Sequence, residues 1–156
     1  MNTKTLFCTV LTGFALLFIA ACQQESNQQE TSTIMPGEGM EVQEAWARPG
    51  ADGRMSAAYF LISNFNSEDD VLISIETDVA QNAEVHESYE REEGMMSMRE
   101  VPRLDLPAQS TVRFEQGGLH VMLMQLTRQL SDGDTFELTL TFEKNDPITV
   151  EIPVRL

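Results

Sequence analysis

The sequence predicts an all-β domain, an antiparallel sandwich or small Greek-key barrel, and three observations carry that expectation. From Met40 onward apolar residues come in short bursts, and several of these alternate with polar ones, as in Phe136, Leu138, Leu140 and Phe142 against Glu137, Thr139 and Thr141. Gly, Pro, Asn and Asp clusters separate the bursts, as at Arg48-Pro49-Gly50-Ala51-Asp52-Gly53, Gln116-Gly117-Gly118, Ser131-Asp132-Gly133-Asp134 and Asn145-Asp146-Pro147. No window past the first 21 residues sustains an apolar stripe at helical spacing.

The expected strands follow in order. Residues 42–47 come first, then 55–63 (MSAAYFLIS), closed by Asn64-Phe65-Asn66-Ser67. Residues 71–75, 84–89 and 95–99 are next, the last two joined across Glu90-Arg91-Glu92-Glu93-Gly94. Residues 111–114 and 119–126 flank the Gly117-Gly118 turn, and 136–142 and 148–154 complete the set. Short strands at this spacing read as a sandwich or barrel.

The chain has 156 residues, the size of one domain with one core. Its 25 acidic against 10 basic residues give a formal net charge of -15, which excludes nucleic acid as a partner because phosphate binding needs a basic footprint. The same balance excludes a polybasic hold on anionic lipid. Neither a Gly-rich phosphate loop nor a Gly-x-Ser-x-Gly elbow occurs. The paired acids Asp69-Asp70 and Glu92-Glu93 are expected in solvated turns, with no nucleophile–base pairing legible, so no enzyme activity is expected.

Residues 1–21 form an address. Lys4 precedes a stretch from Leu6 to Ala21 without charge, too short to span a bilayer and of the length of a signal-peptide core. It closes on Ile19-Ala20-Ala21-Cys22, which resembles a bacterial lipobox and implies cleavage before Cys22 and lipid on its sulfur. Cys8 would leave with the leader, so the mature domain keeps neither free thiol nor disulfide. Residues 22–39 open on polar residues with nothing to bury and are expected to be a disordered tether, followed by the domain at 40–156. Gln23 after the cysteine favours, by analogy with enteric sorting, the outer membrane. The expected location is the cell envelope, on the periplasmic side of a bacterial membrane.

Five methionines, Met95, Met96, Met98, Met122 and Met124, fall between residues 95 and 124, and the two histidines, His86 and His120, bracket that window. On a strand, His120, Met122 and Met124 share one face and Leu119, Val121 and Leu123 the other. His86 lies on another strand, and Met98 on the strand paired with it. A methionine on a strand is more often core filler than ligand, and a lone histidine more often structural. Both histidines accompanied by methionine suggest instead a soft, neutral donor set. Thioethers suit Cu(I), serve Zn, Ca or Mg poorly, and need no deprotonation. Met124, about 7 Å further along the strand than Met122, is expected in the core. Met95 and Met96 are not expected to bind metal.

At these residues the chain resembles the PCu(A)C copper chaperones, once a family of unknown function. The family's motif runs His, Met, His-x-Met; here eleven residues separate His86 from Met98, twenty-one separate Met98 from His120, and Met122 completes it. Ala45-Trp46-Ala47-Arg48-Pro49, Ala57-Ala58-Tyr59-Phe60, Gly117-Gly118-Leu119-His120 and Asp132-Gly133-Asp134 add to the likeness. Glu87 stands where the family allows an optional Met. The resemblance implies a cupredoxin-like β-sandwich that binds Cu(I) through His86, Met98, His120 and Met122, without catalysis. It implies delivery of copper to respiratory oxidase assembly, with a copper-accepting oxidase subunit or a Sco-type thiol protein as partner. The Met- and His-rich C-terminal extension of some relatives is not expected here. A blue electron carrier would need a cysteine thiolate. Copper sequestration in the envelope, or a structural lipoprotein without metal, are the alternatives.

Overall fold

The computed structural model describes residues 37–156. The leader 1–21, the lipidation site Cys22 and most of the expected tether lie outside the described residues. Ten strands follow in chain order: β1 (Met40–Ala47), β2 (Ser56–Asn64), β3 (Asp70–Glu76), β4 (Ala80–Glu90), β5 (Met96–Glu100), β6 (Leu104–Leu106), β7 (Ser110–Arg113), β8 (Leu119–Leu126), β9 (Thr135–Phe142) and β10 (Ile148–Pro153). A 3-10 turn, Glu92–Gly94, links β4 to β5.

Every paired strand is antiparallel, and the main path runs β1-β2-β8-β4-β3-β9-β10. The shorter strands sit beside it: β5 pairs β4, β6 pairs β3, and β7 pairs β2. Along the path β4 and β3 meet at a single register pair, Ile75 with Ala83. At the opposite seam the two ends of the path touch through an Ala47–Val154 bridge, with the Arg155 N–H donating to the Ala47 carbonyl at 3.0 Å. Two thin seams on a rolled sheet give a flattened, nearly closed barrel, which is also a two-layer sandwich.

The core lies between the layers because alternate residues of each strand point inward. Ala58, Phe60 and Ile62 of β2, Val85 of β4, and Val121 and Leu123 of β8 face Leu72, Leu138, Leu140 and Ile152 from the other layer, all buried. Phe60 stacks on Phe114 with ring centroids 4.3 Å apart. The loop after β1 packs close: the Gly50 N–H and carbonyl both bond Leu130, at 3.0 and 2.8 Å, and a Cβ at Gly50 would stand 2.6 Å from Leu126 Cδ1. A larger residue there would have to push the Leu126 side chain aside.

Three sequence expectations change here. The three-residue β6 was not expected, because Leu104-Asp105-Leu106 between Pro102 and Pro107 is too short to show alternation, and it forms by pairing with β3. Asp70 is not in a solvated turn but opens β3 and is buried at 1% exposure. Met124 is not in the core; it is half-buried on the outer face of β8.

Candidate metal centre

One outer face of the β2-β8-β4-β5 region collects the soft-atom residues. In the β4–β8 ladder His86 is the direct register partner of His120, and Glu84 is the partner of Met122. Residues opposite one another in a ladder share a face. The histidine rings lie 6.1 Å apart between centroids, tilted by 55°. In the β4–β5 ladder Met98 is opposite Ser88, and Glu100 opposite His86. Met98 is therefore the diagonal neighbour of His86 on their common face, not its direct partner, and a long side chain spans that diagonal.

Met98, His120 and Met122 line one open cavity of about 390 Å³, together with Met55, Tyr59 and Pro49. His86, on β4, is absent from that lining, and its ring centroid lies 6.1 Å from that of His120. Burial grades outward: His120 is buried, the His86 side chain is 17% exposed, Met122 is intermediate, and Met98 is 53% exposed on the β5 hairpin.

Hydrogen bonds set the imidazole lone pairs. His86 Nε2 meets the Glu84 carboxylate at 3.0 Å, and an acceptor-only carboxylate requires Nε2 to donate. His86 Nδ1 then carries the lone pair, and it is buried without a hydrogen-bond partner. A buried polar atom left unpaired costs free energy, which a ligand on that atom recovers. His120 Nδ1 donates to the Gly118 carbonyl at 3.0 Å, which leaves Nε2 as its lone-pair nitrogen. The same carbonyl accepts the Ser88 N–H at 3.0 Å, so one atom orients His120 and ties β8 to β4. It is placed by the tight Glu115–Gly118 turn, where Gly117 sits at φ 82°, a conformation glycine adopts without strain. Engaging one ring nitrogen to present the other is how metal-binding histidines are oriented.

The donor chemistry fits a soft monovalent ion. Among the described residues no group of three or more His, Cys, Asp or Glu side chains comes together as a metal cluster. Met98 and Met122 line the cavity beside His120, and the Glu84 carboxylate is hydrogen-bonded to His86. With metal–nitrogen bonds of about 2 Å, two rings sharing one ion have centroids within roughly 6.5 Å, and the observed separation of 6.1 Å lies inside that limit. Glu87 turns to the opposite face, where it pairs with Arg99 across the β4–β5 ladder. Met95 and Met96 stand on the hairpin at 57% and 63% exposure. Sequence reasoning missed Glu84 and Met55 as members of this neighbourhood. A carboxylate two residues before His86 was a usable signal for Glu84, since i and i+2 share a strand face. Met55 had no such signal, because its proximity to Met122 depends on the β2–β8 pairing.

Comparison with known proteins agrees with this architecture. Among solved structures the chain resembles the apo PCuAC domain from PmoF1, at TM-score 0.63 and 24% identity over 75% of this chain and 93% of that one. It resembles the copper-bound PCuAC domain from PmoF2 at TM-score 0.62 and 23% identity, covering 76% and 93% of the two chains. The solution structure of CuI-DR1885 from Deinococcus radiodurans matches at TM-score 0.57 and 28% identity, over 83% of this chain and 85% of that one. By sequence, "Putative lipoprotein Lxx21020" of Leifsonia xyli subsp. xyli is 29% identical over 146 residues, 93% of this chain and 82% of the relative. The all-β fold is that of PCuAC domains. The family described as "Putative lipoprotein LpqE-like" matches residues 40–154, the whole span from β1 to the end of the barrel, and the chain belongs to that family.

Proposed function

We propose that this protein is an extracytoplasmic Cu(I) metallochaperone of the cell envelope, holding its cargo with His86, Met98, His120 and Met122. The observation that carries this reading is the facing histidine pair, each ring with one nitrogen engaged and one lone pair free, beside two thioethers. Structural relatives described as copper-bound support copper as the ion. All four donors are neutral, so the single charge of Cu(I) is bound without a compensating anion among the ligands. Met98 is more than half exposed, so one ligand can leave without unfolding anything. Both features favour a carrier that releases copper over a site that sequesters it, and neither supplies catalytic machinery.

Family membership supports a lipoprotein of the cell envelope. Lipid on Cys22, a periplasmic position and the outer membrane belong to this proposal. So does delivery to cytochrome c oxidase assembly, either directly to a copper-accepting subunit or through a Sco-type thiol protein. Thiolates in such an acceptor outcompete neutral donors for Cu(I), which gives transfer a direction. Mixing the Cu(I)-loaded protein with the soluble copper-binding fragment of an oxidase subunit, and with a Sco-type dithiol protein, tests delivery. Transfer to either within minutes is expected; retention of copper against both would turn the reading to sequestration.

A further inference from the structure

Two methionines of the outer face remain unused by the proposed site. In the β2–β8 ladder Ser56 pairs with Leu123 and Ala57 with Met122. Met55 immediately precedes β2, and Met124 follows Leu123 on β8. Both line a second open cavity, of about 560 Å³, with Asn82 and Gln125. Met55 also lines the cavity that holds Met98, His120 and Met122, so its side chain borders both spaces. Met55 is 65% exposed, and Met124 is half-buried on the face that carries His120 and Met122.

Packing does not account for this pair. Met124 lies outside the core, and Met55 leaves most of its apolar surface in water, where it gains nothing from folding. Their shared property is the thioether, a neutral soft donor selective for Cu(I). No carboxylate lines their cavity, and Arg54 does, which disfavours divalent hard cations there and limits affinity for any cation. Two thioethers without imidazole offer fewer and weaker donors than the histidine-containing site beside them.

We propose that Met55 and Met124 form a second, weaker station for a soft monovalent cation, from which Cu(I) passes through Met55 into the site of His86, Met98, His120 and Met122. This rests on the reading of that site as a Cu(I) site. The transfer is ligand exchange: a new bond from copper to a Met122 or Met98 sulfur, or to His120 Nε2, forms as a bond to a Met124 or Met55 sulfur breaks. Copper stays Cu(I), the charge of +1 moves with it, and no proton is displaced because each donor presents a lone pair already.

The test is a titration of the whole domain, carrying 13C-labelled methionine methyls, with Ag(I) as a redox-stable probe. The first equivalent is expected to shift the Met98 and Met122 methyls. The second is expected to shift Met55 and Met124 at least tenfold more weakly, leaving Met95 and Met96 unmoved. Met124→Leu is expected to abolish the second phase and keep the first, and Met55→Leu to abolish the second phase and slow loading of the first site several-fold in stopped flow. If Met55 and Met124 stay silent through the second equivalent, or if Met55→Leu loads at the unaltered rate, the inference is overturned. Silence of Met98 and Met122 in the first equivalent overturns the underlying Cu(I) reading instead.

Discussion

His86 and His120 are direct partners across the β4–β8 ladder, 6.1 Å apart, and each has spent one ring nitrogen on a hydrogen bond that frees the other. Thirty-three residues separate them in sequence. The ladder register, not a local motif, makes them one site.

The methionines should divide into two classes. Met98→Leu and Met122→Leu are expected to weaken Cu(I) binding at least tenfold in competition with a Cu(I) chelator. Met95→Leu, Met96→Leu and Met124→Leu should leave the high-affinity constant unchanged. Each swap conserves shape, so unfolding free energies should move by less than about 1.5 kcal/mol. Loss at Met124 instead of Met122 would mean the ligand set is misassigned.

Glu84 orients His86 through its hydrogen bond with Nε2. Glu84→Gln keeps the reach of the side chain and removes its charge, so the His86 ring becomes a poorer donor. Outer-shell changes of this kind cost about 10–100-fold in metal affinity, and chelator competition should find a loss in that range. An unchanged affinity would show that the Glu84 contact does not serve the metal.

Asp70 is a stability residue, and its chemistry sets a pH dependence. Burial pushes its carboxyl upward, but hydrogen bonds from the Asn145 side chain and from the N–H groups of Val71, Lys144 and Asn145 prevail and hold it below its usual value of 3.8. A carboxyl lowered on folding stabilises fully above its unfolded value of about 3.9, and that contribution is lost as pH falls toward the folded value. Asp70→Asn should cost about 1–3 kcal/mol at pH 7 by leaving buried donors mismatched. Denaturant melts at pH 7, 5 and 3 should show a shallower acid decline in the variant than in the native chain.

Cys22→Ser should release the protein from membranes and leave its metal binding unaltered, because the polar segment after Cys22 separates the lipid site from the domain. Membrane fractionation beside a Cu(I) titration checks both halves. A variant that still sediments with membranes would contradict lipidation at Cys22.

Much of the fold was legible because half-buried antiparallel strands alternate. Residues 136–142 and 119–126 show the period of two, and Gly117-Gly118 and Asp132-Gly133-Asp134 mark the breaks. The histidine and methionine positions were legible as donor chemistry and spacing. What sequence could not reach was pairing. It did not say that Met98 stands opposite Ser88, that Glu84 turns to His86, or that Asp70 is buried against the turn before β10. Each depends on which strands become neighbours. Met124 was misplaced because its distance of about 7 Å along the strand from Met122 pointed to the core, although it shares the outer face with His120 and Met122.

The most direct measurement is metal choice and stoichiometry in the purified domain, by paired Cu(I) and Zn(II) competition titrations under reducing conditions. Two imidazoles and two thioethers predict one tightly held Cu(I) and much weaker Zn(II). A preference for Zn(II), or no tight Cu(I), would contradict the account.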